Sequence, residues 1–304
     1  MTKNNVLKGV VLVGLGATSY GMLATFVKLA YGEGYTTAEV TTSQFILGIL
    51  GVLIINAFQR MRKGNVVVKP SGRNIMQLAV AGTSMGMTSV FYYLAVNFNV
   101  PVSICIVLLM QTVWMGVLLE AIINKTIPSG RKILSVIVVL IGTALATNLI
   151  NSKVQLDVRG VICGLLAAAS FTTTMFTSNR IATHLSSAQR SLFMLLGGAV
   201  IVAGFAIYTW TGTFNVSIFL RWGIVLSLFG TIIPPMLLNA GFPKTGIGLG
   251  SIVSSLELPV SVMMAYVLLN EEVNALQWTG IALIIAAIVI MNVSAKKSNT
   301  NKIQ

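Results

Sequence analysis

Residues 247–269 read IGLGSIVSSLELPVSVMMAYVLL: twenty-three residues with one charge, Glu257, and one proline, Pro259. A helix needs about 20 mostly apolar residues to cross the hydrocarbon core of a bilayer. A strand of a membrane barrel needs only about ten and alternates apolar with polar. This stretch is too long for such a strand and is apolar on every face. In lipid a helix also satisfies its own backbone polar groups. The stretch therefore reads as a transmembrane helix. Working outward, comparable runs lie near 7–29, 38–58, 74–97, 101–123, 133–150, 158–180, 187–209, 221–242 and 276–293. The breaks between them are too short for a soluble domain. The expectation is an all-α polytopic membrane protein of ten transmembrane helices. The first run lacks a clear cleavage site and reads as a retained helix, not a signal peptide.

Composition agrees. Of the 304 residues 55% are hydrophobic and 9% charged, against roughly 25% charged in soluble chains. Mean hydropathy is +0.87. The net charge of +13 would suggest nucleic acid in a soluble protein, but its placement suggests membrane topology instead. With a cytoplasmic N-terminus, every Lys and Arg except Lys28, Lys153, Arg159 and Arg221 falls inside. The positive-inside rule then gives cytoplasmic N- and C-termini and an even number of spans. The expected location is the cytoplasmic (plasma) membrane, as a multi-pass protein, with a bacterial inner membrane favoured by the composition.

The halves look related. A shift of 146 lays Gln111-Thr112-Val113 on Glu257-Leu258-Pro259, one of 148 lays Gly82-Thr83 on Gly230-Thr231, and one of 151 lays Ser19-Tyr20 on Ser170-Phe171. Residues 1–150 and 151–304 would each hold five helices, the second copy inverted and followed by a short basic tail. Secondary transporters often use inverted repeats, with the site near the midplane.

The first run carries Gly14, Ser19-Tyr20-Gly21 and Phe26-Val27-Lys28. The ninth and its exit carry Leu258-Pro259-Val260 and Leu268-Leu269-Asn270-Glu271, and Gln277 and Gly280 follow in the tenth. On these residues the chain resembles the drug/metabolite transporter superfamily in its EamA-type duplicated form. That resemblance implies ten helices in two inverted five-helix repeats. It also implies transport of small metabolites, amino acids or toxic compounds, mostly by export. The sequence departs from the family in Tyr20, where tryptophan is frequent, in Lys125 as counterpart of Glu271, and in Glu257 at a position expected to be neutral.

Glu257 lies near the centre of its run, where a charge costs at least about 2.5–3.5 kcal/mol. It reads either as a proton- or cation-coupling carboxyl or as a neutral group that fixes helix packing. Pro259 removes the helical partner of the Ser255 carbonyl, so Ser254 and Ser255 could border an opened helix facing a wet cavity. Pro234-Pro235 free the carbonyls of Gly230 and Thr231, with Asn239 about one turn on. These prolines read as hinges or as fixed kinks. Gln111 and Trp114 share a helix face and could line the same cavity as Glu257, or Gln111 could bridge helices. Tyr20 is too deep for an interface anchor, whereas Tyr92, Tyr93 and Asn97 read as anchors at the outer end. Lys28 reads as a snorkelling lysine, Glu120 as the partner of Lys125, and Glu271 and Glu272 as acids favoured by a helix N-terminus. Gly82-x-x-x-Gly86 reads as a close helix crossing.

Catalysis finds no pattern: His184 is the single histidine, Cys105 and Cys163 are isolated, and no metal cluster or phosphate loop is present in the sequence. No enzyme activity, cofactor or metal is expected. The expected function is a secondary transporter of a small organic solute, working by alternating access. The expected partners are that solute and membrane lipids, without nucleic acid, in a monomer or homodimer. Two other readings stand beside it: a lipid flippase or scramblase, and a non-transporting membrane partner subunit.

Overall fold

A computed structural model describes residues 3–61, 68–98, 100, 102–148, 157–209 and 212–297. Arg62, Lys63, Lys153, Lys302, the expected span ends at 101 and 149–150, and the boundary between the halves lie outside the described residues, as does the side chain of Asn97.

Among the described residues every regular element is helical. In chain order they are α1 (Lys3–Gly32), α2 (Thr37–Met61), α3 (Gly72–Asn97), α4 (Val102–Leu109), α5 (Thr112–Asn124), α6 (Gly130–Ala146), α7 (Val158–Arg180) and α8 (Ser187–Tyr208). Then follow α9 (Ile224–Ser227), α10 (Ile233–Thr245), α11 (Ile247–Ser254), α12 (Glu257–Leu269) and α13 (Ala275–Lys297). Eight segments are long and apolar enough to cross a membrane, counting α4–α5, Phe219–Thr245 and α11–α12 as one each, and Ala275–Met291 is a shorter apolar helix. Helix α6 has 17 residues, about 25 Å at 1.5 Å per residue. It lies along α13.

Helix starts follow local chemistry. The first N–H groups of a helix lack partners within it. Ser71 Oγ accepts from the Asn74 N–H at 3.2 Å, and Ser186 and Gln189 form a reciprocal capping box. Asp157 caps α7, and hydrogen bonds from the side chain and backbone of Arg159 hold its carboxyl below the usual carboxylate range.

Glycine sets the closest crossing, as the Gly82-x-x-x-Gly86 spacing predicts. A methyl at Gly82 would overlap the carbonyl of Met194, and one at Gly197 the carbonyl of Ala79. Helices α3 and α8 therefore touch backbone to backbone. Gly142 and Gly280 do the same between α6 and α13. The outward surface stays apolar, with Leu50, Ile54, Phe58, Val80 and Val200 exposed. That surface suits lipid and not water.

Two spans are broken, and at corresponding places. One breaks between Leu109 and Thr112, the other between Ser254 and Glu257. Their second parts end in left-handed residues, Lys125 (φ 51°) and Asn270 (φ 52°). These landmarks recur at a spacing of 145 residues, one fewer than the shift read from residue identities. The double proline, Pro234-Pro235, follows π-helical turns at Phe219–Gly223 and Leu228–Ile232. Wide turns absorb the backbone groups that proline leaves unpaired.

Candidate functional site

Glu257 is the first residue of α12 and is half-buried. Gly21 of α1 makes its position possible: a side chain there would overlap the Glu257 carbonyl. Tyr20, the neighbour of Gly21, and Tyr92 of α3 both lie within electrostatic reach of the Glu257 carboxyl. Tyr92 is in turn close to Cys105 of α4 and Tyr31 of α1. Among the described residues the Glu257 carboxyl has no hydrogen-bond or ion-pair partner. A group with free lone pairs, one wall of tyrosines and an apolar surround can take and release a proton or receive a cationic group. Burial disfavours its charge and the helix N-terminus favours it.

The anchor reading of Tyr92 is thus corrected: its ring packs inside, against the cluster of Ala95, Val100, Ile104 and Cys105. Tyr20 is placed inward as expected, edge-on to Phe171 with ring centroids 6.3 Å apart.

Other candidates fall elsewhere. Gln111 Nε2 donates to the Val107 carbonyl at 3.0 Å, and Trp114 Nε1 donates to Gln111 Oε1 at 2.8 Å. The pair thereby satisfies a carbonyl at the break in its own span and is not joined to Glu257 by any described contact. Ser254 Oγ donates to the Gly250 carbonyl at 2.9 Å and Ser255 Oγ to that of Ile252 at 2.6 Å. Both serines are buried and turn their hydroxyls onto their own helix. Pro259 sits in the first turn of α12, just past the break it was expected to cause. The Ser255 carbonyl accepts the Leu258 N–H at 3.2 Å instead.

Asn239 is 2% exposed, and its Nδ2 donates to Ser191 Oγ at 2.9 Å. Its Oδ1 has no partner, and Asn239 borders a void of about 10 Å³ shared with Tyr20, Phe171 and Thr174. That is room for about one water.

Two ion pairs replace sequence readings. Glu120 pairs with Lys132, not Lys125, and lies against Gly246 and Gly248 at the start of α11. Lys28 pairs with Glu271, tying α1 to the exit of α12.

Sequence reading missed Arg190. It is 1% exposed, on the first turn of α8. Its guanidinium donates to the carbonyls of Ile181 at 3.0 Å, Asn239 at 2.5 Å, and Ser178. Pro243 lacks the N–H that would have bonded Asn239, and the other two carbonyls belong to the end of α7. Arg190 therefore collects acceptors that the backbone leaves open.

A groove of about 580 Å³ runs between α3 and α7 on the outside of the bundle, from Met76 and Ile181 to Met87 and Leu166.

Residues 158–293 match the family model described as EamA-like transporter family. No curated protein matches the sequence. A crystal structure of a protein 15% identical in sequence superposes with a TM-score of 0.76, over 97% of this chain and 99% of the other. It shares the fold.

Proposed function

We propose, from the match of residues 158–293 to the EamA-like transporter family model, that this chain is a secondary transporter of a small organic solute. The two halves, 1–150 and 151–304, act as inverted five-helix repeats, giving ten spans with both termini cytoplasmic. The solute class is amino acids or related metabolites, moved outward and coupled to protons through Glu257.

The observation that carries this reading is the pair of broken spans. Helix α5 packs on α11, so the halves of these spans nearer the termini meet. Gly116 against Ser251 marks that contact, and Ser251 Oγ donates to the Val113 carbonyl at 3.2 Å. Beyond the breaks the partners change: α4 packs on α7 and α3, whereas α12 packs on α1, α6 and α13. This change of partners supports a reading in which the two spans close together on the side of α5 and α11 and can separate beyond the breaks, near Glu257 and Tyr20, as one state of an alternating-access cycle.

A lipid flippase draws on the α3–α7 groove, which opens toward lipid. From Met76 to Met87 the groove follows about 17 Å of helix, roughly half of a 30 Å hydrocarbon core. A headgroup track has to cross the whole core, so solute transport is the stronger reading.

Uptake of a labelled amino-acid mixture by inside-out vesicles tests it. Accumulation that needs an imposed pH gradient is the expected result. Uptake no greater than in vesicles lacking the protein removes amino acids as substrates.

A further inference from the structure

The α3–α7 groove has a surface and a setting that fit one kind of ligand. Its volume of about 580 Å³ lies within the range of small-molecule sites, about 300–1,000 Å³. Hydroxyls line it, and all but that of Ser170 are already engaged. Thr83 Oγ1 donates to the Val80 carbonyl at 2.7 Å, Thr173 Oγ1 to that of Ala169 at 2.9 Å, and Ser84 and Thr174 bond each other at 2.7 Å. What remains facing the ligand is largely methyl and methylene, which suits an acyl chain better than a polar solute.

The mouth is basic. Arg73 is exposed one turn before Met76 and Gln77, on the same face of α3. Lys69 is exposed just before it, and His184 lies across the mouth, its Nε2 3.1 Å from Asn74 Nδ2. Of the seven acids in the chain only Glu120 belongs to this side of the membrane, and Lys132 occupies it. Positive charge at the headgroup level attracts anionic lipid.

We propose that this groove binds an anionic phospholipid of the leaflet facing the chain termini, with an acyl chain along Val80 and Leu166 and the phosphate at Arg73. The site spans one leaflet, so the lipid is held and not carried across. The proposal does not depend on which solute the protein moves, or on whether it moves one.

The full chain is reconstituted in vesicles of phosphatidylcholine and phosphatidylglycerol. A trace of either lipid carries a photoactivatable group on its acyl chain. Phosphatidylglycerol should label peptides covering 76–87 and 166–181 several-fold more than phosphatidylcholine does. Arg73→Gln should erase that preference while chain labelling persists. Val80→Trp places a large ring in the groove from a position already 63% exposed, so it should remove the labelling without lowering the melting temperature. Met87→Trp, at the far end, repeats the test should the first variant misfold. Equal labelling by both lipids, or groove labelling no stronger than that of exposed α2, overturns the proposal. So does cross-linking of the groove to a second copy of the chain.

Discussion

Among the described residues Arg190 has no acidic partner, yet its removal has a clear cost. Three backbone carbonyls would lose a charged donor inside the protein, and each buried group left unpaired costs about 1–3 kcal/mol. Arg190→Met should therefore destabilise the fold by roughly 3 kcal/mol or more, read as a lower melting temperature in detergent. Arg190→Lys should fall between, because a single ammonium cannot reproduce the planar fork. Sequence reading placed Arg190 within the run 187–209 and counted it only among the basic residues of the cytoplasmic side. Two signals could have found it: the Ser186–Gln189 spacing of a capping box, which fixes Arg190 on the first turn of that helix, and Pro243, which orphans the carbonyl of Asn239. Glu257 was legible because a lone carboxyl among apolar turns stands out in any frame. Tyr92 was not, since its depth along α3 can be counted from the sequence but the direction of its ring depends on which helices flank α3.

At the scale of elements, the glycine positions specify which helices meet. Gly82→Val and Gly197→Val put methyl groups into facing backbone at the α3–α8 crossing. Overpacking costs typically about 1–3 kcal/mol, and here carbonyls, which cannot rotate away, receive the clash. Each variant should lower the melting temperature and the folded yield, whereas Gly204→Val, with open space around it, should leave both unchanged. The broken helices were half legible. Pro259 announced the break before α12, but the matching break at Met110–Gln111 has no proline. It is held by Gln111 turning back onto the Val107 carbonyl, a local bond that leaves no composition signal.

For the whole molecule, the proposed closure at α5 and α11 and the proposed separation beyond the breaks make opposite predictions for solvent access. In a background with Cys105 and Cys163 replaced by serine, a cysteine at Tyr92 should react with an impermeant maleimide added from the side opposite the termini. One at Ser251, buried beneath α5, should react from neither side in this conformation. Fast labelling of Ser251→Cys would mean the termini side is open. Helix positions along the chain were legible to within about four residues at their ends, because hydrocarbon demands long apolar runs. Which runs pair, and where the bundle parts, depends on contacts between distant segments. The most direct measurement is transport by Glu257→Gln in proteoliposomes, comparing solute counterflow with uptake driven by a pH gradient. Glutamine keeps the shape and cannot release a proton. Counterflow should persist while the response to the gradient disappears. An undiminished response would contradict proton coupling through Glu257.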